Sequence, residues 1–520
     1  MRTTLRLLVF FSLAVPAMLA QLKLPAIISD HMVLQQKQSD LIWGWDSPGT
    51  KITVTFAGQS YAATAASDGK WSAMLSPQSA NATPQTLTIE GSSRQDIHDV
   101  LIGEVWMCSG QSNMGFTLAQ DWNGDIESAA SNLPGLRLIE APLVGTQELQ
   151  NDLKPEEKSH WRLADANTAI HFSAIGFLYG RYLHEILHVP VGLINNAWGG
   201  SSAEAWVRRS TLEHDARFKL LMGNTVKQET TLQSEQGKAD FERKMAEWRA
   251  ATEKAKAEHT TPLPPRPENW LAEQHRAGNI FAGMVYPTLG YGIKGVIWYQ
   301  GESNADRAYE YKSLFPFMIE QWRKEQGAGD FPFYWVQLAN FKAEQPNPGD
   351  SAWAELREAQ TQTMKLPNTG QAVIIDLGEG KDIHPRDKHD VAARLVRWAL
   401  VKDYGMKIPY RSPEFKSIAI EGNKATVTLD MFGSSLRPFG VPEARGFAIC
   451  GSDRVWHWAK GKIVGKEKVE VWSDEVPAPL AVRYAWADNP IANLFSNEGL
   501  PVTPFRTDTF PMTTEPKPKS

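Results

Sequence analysis

Residues 103–115 read GEVWMCSGQSNMG, and the fold turns on how this stretch is read. Val105–Cys108 is a short apolar run of the kind that forms a fully buried strand, and Ser109–Gly110 breaks it. A helix is expected from Gln111 to Gln120, with Met114, Leu118 and Ala119 on one face. Ser112 then sits where a buried strand gives way to a helix N-terminus, whose free N–H groups and positive dipole end favour a developing oxyanion. A plain capping role for Ser109 or Ser112 fits the same position. The spacing is not the G-x-S-x-G elbow of the α/β-hydrolases.

Outward from this stretch, residues 104–405 alternate apolar strands with amphipathic helices, the rhythm of an α/β domain with a parallel sheet. The candidate strands are VWMCS, LRLIEA, VGLINNAW, GVIWYQG, FYWVQLANF and AVIIDLG. SAIGFLYGRYLHEILH and HDVAARLVRWALV are candidate helices. Ligands of such sheets bind at the carboxyl ends of the strands. Three candidate strands end in polar, glycine-containing segments, CSGQSN, NNAWGGSS and WYQGESN, which raises Ser112 above a capping residue. Residues 212–279 interrupt the rhythm with the charged helix KADFERKMAEWRAATEKAKAEH and the Pro-rich TPLPPRPENW. This insertion reads either as a rim or lid of the site or as a solvated hairpin.

The flanks are β-rich. Residues 21–103 show short alternating runs such as KITVTF and QTLTIE between turn residues, the pattern of an N-terminal antiparallel β-sandwich. Residues 406–510 repeat that pattern in KATVTLDM, KVEVWSD and LAVRYAWAD, and a disordered tail is expected over 511–520. Arg2 and Arg6 precede the apolar run Leu7–Val15, with Ala17 and Ala20 near a plausible cut, so residues 1–20 read as a signal peptide of a secreted or periplasmic protein. No other segment is long and apolar enough to span a bilayer.

A chain of 520 residues is too long for one core. Its net charge of −5 leaves no basic footprint, so nucleic acid is not an expected partner. The 19 tryptophans serve the core or stack on sugar rings. Only Cys108 and Cys450 are present, too few for a disulfide framework, and they read as buried free thiols.

The last candidate strand runs into DLGEGKDIHPRDKHD. Pro385 biases His384 toward an extended conformation. Residues two apart in such a segment face the same way, bringing Asp382 and His384 to one pocket. That pairing suits a histidine that takes a proton from Ser112. A metal site of Asp382, His384, Asp387 and His389 is the rival, but the separation of the two histidines matches no compact ligand pattern. No metal and no cofactor is expected.

GQSNM around Ser112, WYQGESNA around Glu302 and DIHPRDK around His384 resemble the signature blocks of the sialate O-acetylesterases, within the wider SGNH/GDSL hydrolase class. SDHMVLQQ, NNAWGGSSAEAW, VRYAWADNP and NLFSNEGLPVTPFRTD extend the resemblance over nearly the whole chain. It implies a flavodoxin-like SGNH three-layer domain between the two sandwiches, with Ser112 as nucleophile, His384 as general base and Asp382 as orienting acid. The wider class often has D-x-x-H, whereas Lys381 stands three residues before His384 here, so Glu302 is the alternative acid. The implied oxyanion hole combines the Ser112 N–H, Gly199 or Gly200, and the side chain of Gln300 or Asn304. Gln111 and Asn113 hold the loop in shape. The implied activity is removal of O-acetyl groups from carbohydrate, with O-acetylated sialic acid named first and acetylated xylan or pectin as the alternative. A non-catalytic carbohydrate-binding protein is the reading from another class.

Overall fold

The computed structural model describes residues 21–516, and the expected signal peptide lies outside them. One strand organises the molecule. Arg94–Gly110 is continuous over 17 residues, and its two halves serve different layers. Its first half pairs antiparallel with Asn81–Glu90 and parallel with Val33–Gln35 of the N-terminal β-region. Its second half, Glu104–Gly110, is the central strand of the parallel sheet. The boundary expected between residues 103 and 104 therefore falls inside an unbroken strand. Buried Glu104 ties the two regions together by accepting hydrogen bonds from the amides of Gln35 and Gln36.

The sheet order is Thr369–Ala372, Phe333–Val336, Gly295–Tyr299, Arg94–Gly110, Val191–Ala197, Leu133–Glu140, all parallel, with Arg162–Ala164 antiparallel at the edge. The strands read as unbroken apolar runs because helices cover both faces. Trp106 points to the face where Tyr179 of the helix Ala174–Leu187 packs, and Tyr334 on that face meets Trp398 of the helix Lys388–Lys402. Trp298 points the other way, onto Phe315 and Trp322 of the helix Ala308–Gln326. The tryptophans in these layers are core residues.

Three local expectations are revised. The helix expected over 111–120 is a single turn, Ser112–Gly115, followed by a 3-10 turn, Leu118–Gln120. Phe116 leaves helical geometry, and the side chain of Thr117 bonds Gln120 instead. The strand expected over AVIIDLG ends at Ala372, since Val373 and Ile375 turn into the core of the C-terminal β-region. The tail is ordered at its start, because Thr513 and Thr514 donate to the buried carboxylate of Glu355 and Met512 is buried; residues 517–520 lie outside the described residues.

The C-terminal region forms antiparallel sheets, Glu414–Glu421 with Lys424–Asp430, Lys468–Trp472 and Lys460–Val464, and Trp456–Trp458 with Phe447–Cys450, Ala481–Tyr484 and Phe505–Arg506. Its seam with the parallel sheet is fixed by fully buried Arg357, which donates to the carbonyls of Leu338, Ala339 and Ala487. The insertion folds as two helices, Lys219–Gln233 and Glu235–Ala257, tied back through Glu229 to Arg209 and Arg276. Cys108 and Cys450 are both buried and unpaired. No helix among the described residues is long and apolar enough to cross a membrane.

Gly110 is where the central strand can turn. Its φ of 134° is one that L side chains rarely adopt, and a Cβ there would press into the carbonyl of Tyr299 on the neighbouring strand. Gly110→Ala is expected to lower stability by roughly 3 kcal/mol and to displace Ser112, read as a fall in Tm together with loss of the ester hydrolysis that the resemblance implies. Gly115→Ala, whose Cβ meets only Ala197 Cβ at 3.6 Å, should keep the wild-type Tm.

Candidate active site

The central strand and its two neighbours end at one level, because Gly110 pairs with Ala197 on one side and Tyr299 on the other. The polar blocks that follow, Gln111–Asn113, Trp198–Ser202 and Gln300–Asn304, are thereby gathered at one sheet edge. Gln111 fixes the first turn of its block: its N–H donates to the Tyr299 carbonyl at 2.9 Å, and its side-chain oxygen accepts from the Gly301 N–H at 3.3 Å.

Ser112 Oγ lies 2.8 Å from His384 Nε2, a hydrogen bond between residues 272 positions apart in the chain. His384 is reached by a turn rather than by an extended segment. The Asp382 carboxylate folds back to accept the His384 backbone N–H at 2.8 Å, an Asx-type turn. The same oxygen lies 3.5 Å from His384 Nδ1, close enough to orient the ring electrostatically but long for a hydrogen bond. Asp382 is more than half exposed.

Glu302 occupies the opposite environment. It is half-buried with its carboxylate turned inward: one oxygen accepts from Asn113 Nδ2 at 2.8 Å, and the other is buried with no partner among the described residues. Burial pushes its pKa up. Its link to His384 runs through Asn113, whose amide also donates to the Ile383 carbonyl at 3.0 Å. The structure therefore sets Asp382 against the histidine ring and Glu302 beneath the loop that carries it.

The backbone N–H groups of Ser112 and Gly199 have no partner among the described residues. A Cβ on Gly199 would lie 3.4 Å from Ser112 Cβ, so that glycine stands directly against the serine. Gly200 adjoins it, and its carbonyl accepts from Ser303 Oγ at 2.8 Å. A single helical turn carries little macrodipole, so any oxyanion stabilisation here comes from individual N–H groups. The amides of Gln300 and Asn304 are buried and engaged within the fold. Gln300 Nε2 donates to Asn304 Oδ1 and the Ser201 carbonyl, and Asn304 donates to Glu204 and accepts from the Ala203 N–H. They clamp the glycine block against the QGESN block.

Around this centre the insertion returns as a rim. The Ser202 hydroxyl meets His275 Nδ1 at 3.1 Å, and Gln274 packs beside Gly200. Asp387 caps the helix Lys388–Lys402 by accepting the Asp390 N–H. His389 is half-buried. Its Nε2 lies 3.5 Å from Asp121 Oδ2 and 3.4 Å from Glu127 Oε1, because the loop 118–127 folds over this end of the helix. Among the described residues no cluster of three or more His, Cys, Asp or Glu side chains is arranged to hold a metal ion.

Sequence reasoning passed over Lys388. It is fully buried, donates from Nζ to Asn113 Oδ1 at 2.7 Å, and lies over the rings of Phe116 and Tyr299. A polar D-K-H-D run reads as solvated, but Lys388 precedes Val391, Ala392 and Leu395 by three, four and seven residues, which places it on the apolar face of its helix. A cation at a helix N-terminus also opposes the dipole, a further signal. Burial lowers its pKa to about 7, and the carboxylate of Glu302 opposes that shift.

The His384 pKa is lowered, chiefly by burial; Asp382 raises it and Lys388 lowers it. The resemblance implies that His384 is a general base, which works only when neutral, and under that reading the acid limb of kcat/KM follows this pKa. Removing the Lys388 charge in Lys388→Met raises the His384 pKa and should move the acid limb to higher pH. Asp382→Asn removes the stabilising anion and should move it to lower pH. Titration of kcat/KM against an aryl acetate reads both shifts, and their opposite signs separate electrostatics from general damage.

The model of the family described as "Carbohydrate esterase, sialic acid-specific acetylesterase" matches residues 269–393, a span containing Glu302, His384 and Lys388. The chain is 31% identical to the sialate O-acetylesterase of Mus musculus, over 92% of this chain and 93% of that protein. It is 28% identical to the sialate O-acetylesterase of Homo sapiens, over 89% and 87%. Among solved structures, a carbohydrate acetylesterase from Xanthomonas citri superposes with a TM-score of 0.79 at 36% identity, covering 94% of this chain and all of that one.

Proposed function

The chain belongs to the sialate O-acetylesterase family and is a carboxylic ester hydrolase, and we propose that it is an exported serine esterase with an SGNH-type, flavodoxin-like catalytic domain, releasing acetate from O-acetylated sialic acid through an acyl-enzyme. The observation that carries the mechanism is the 2.8 Å contact between Ser112 Oγ and His384 Nε2 at the meeting point of three strand ends.

His384 takes the proton from Ser112 as Oγ attacks the acetyl carbonyl. The tetrahedral oxyanion is held by the free N–H groups of Ser112 and Gly199. The intermediate collapses, the sugar hydroxyl leaves with the proton from His384, and Ser112 carries the acetyl group. Water, deprotonated by His384, attacks that ester and releases acetate. Asp382 favours the histidine cation formed in both halves. Glu302, Asn113 and Lys388 hold the loops that set the distance between Ser112 and His384, while Gln300, Asn304 and Gln111 keep the glycine block in register. No step calls on a metal ion.

An acetyl ester of a plant polysaccharide, such as xylan or pectin, is kept as a second substrate reading, because the similar Xanthomonas citri protein is described as a carbohydrate acetylesterase without a named sugar. An acetate-release screen over O-acetylated sialic acids, acetylated xylan and acetylated pectin decides between them. Release from sialic acids alone is the expected outcome.

Ser112→Ala should retain the wild-type Tm and lose aryl acetate hydrolysis, and a serine-directed organophosphonate should label Ser112 in the unsubstituted enzyme. Full labelling elsewhere, with activity surviving in the variant, contradicts the assignment. Asp382→Asn should lower kcat about 100-fold, less than the roughly 10⁴-fold seen when a buried triad carboxylate is replaced, since Asp382 is solvated. Glu302→Gln keeps an acceptor for Asn113 and should lose less; the reverse ranking gives the orienting role to Glu302. Prolonged EDTA treatment should leave turnover unchanged, whereas loss reversed by one divalent ion points to the Asp382–His384 metal reading.

A further inference from the structure

A cleft of about 490 Å³ opens where the C-terminal sheets meet the loop after the strand Phe333–Val336, lined by Trp458, Ile491, Arg445, Glu344, Gln345 and Asn489 among others. That loop leaves the carboxyl end of a parallel strand, so the cleft lies along the same sheet edge as Ser112. It also shares a wall with the catalytic loop. Asn489 accepts from Asn340 Nδ2 at 2.9 Å and donates to the Lys342 carbonyl at 2.7 Å. Asn340 Oδ1 in turn accepts the Gly378 N–H at 2.6 Å. Gly380 stands so close that a Cβ there would be 3.1 Å from Asn489 Nδ2, and Glu379 closes the turn onto Asp382.

The lining has the chemistry of a sugar-binding surface. Trp106, Trp206, Trp298 and Trp335 are fully buried, whereas Trp458 is 43% exposed. The Trp458 ring is not loose, because its indole N–H donates to the Pro346 carbonyl at 2.8 Å. Ile491 adds exposed apolar surface beside it. Around these faces the side chains of Arg445, Glu344 and Gln345 have no hydrogen-bond or ion-pair partner among the described residues. A fixed aromatic face ringed by free donors and acceptors matches a pyranose, which has apolar C–H faces and an equator of hydroxyls. Arg357 fixes the seam behind the cleft, so the surface is formed before any ligand arrives.

We propose that this cleft is a glycan subsite, holding a sugar unit removed along the chain against Trp458 while the acetylated unit lies at Ser112. The proposal deepens the esterase reading and rests on it: the C-terminal region selects oligomeric over monomeric acetylated carbohydrate. A small aryl acetate is too short to occupy both places.

The test compares full-length protein with Trp458→Ala and, because that change frees the loop at Pro346, with Arg445→Ala and Ile491→Ser, which remove no hydrogen bond of the fold. Substrates are 4-nitrophenyl acetate and oligosaccharides of increasing length ending in O-acetylated sialic acid. The expected result is a kcat/KM that rises with oligosaccharide length, a KM for the longest that rises roughly tenfold in Trp458→Ala, smaller rises in the other two variants, and unchanged aryl acetate kinetics in all. Binding of the deacetylated oligosaccharides, read by isothermal titration calorimetry, decides the cleft independently of turnover. Binding that weakens in Trp458→Ala supports it, and no binding, or binding unaltered in the variants, overturns it. Aryl acetate cleavage without acetate release from any glycan would instead count against the substrate reading.

Discussion

The close approach of Gly110 to the Tyr299 carbonyl governs the site. A side chain at that position would hold the two strands apart, and the register that levels Gly110, Ala197 and Tyr299 would be lost. With that register, three loops from distant parts of the chain leave the sheet side by side. The serine, the glycine block and the QGESN block then need little further help to meet. What remains is to bring in a histidine from the far end of the domain, and this is done by buried polar contacts.

Asn113 is the hub of those contacts. Beside the nucleophile, it binds the Ile383 carbonyl, Glu302 and Lys388 at once. Burying a lysine and a glutamate is costly unless each finds partners. Here one neutral amide lies between the two, donating to the carboxylate and accepting from the ammonium. Lys388 and Asp382 act on His384 with opposite sign, one from the interior and one from solvent. Burial and Lys388 favour the neutral histidine, and Asp382 supplies an anion beside its cation.

Much of this was legible in the sequence. The parallel sheet, the order of its strands along the chain and the two flanking β-regions follow from a change of hydrophobic period that a reader can see. Ser112 and His384 were marked by where they stand relative to strand ends, and the structure brings them together. The one-turn helix after Gly110 was not legible, because Met114 and Leu118 satisfy helical spacing equally well when Phe116 breaks the turn and each packs separately, while Ala119 is exposed. Lys388 was missed because its charge masks a position on the apolar face. The ordered start of the tail depends on Glu355, a partner more than 150 residues away that no local pattern reveals. The boundary drawn at 103/104 rested on a change of rhythm, and a single strand carries that change without breaking.

The most direct test of the account is mass spectrometry of enzyme quenched during turnover of an aryl acetate. One acetyl group should appear on the peptide containing Ser112, and it should be absent when His384 is replaced by alanine. An acetyl group on any other residue, or steady turnover with no acylated enzyme at any time, would contradict it.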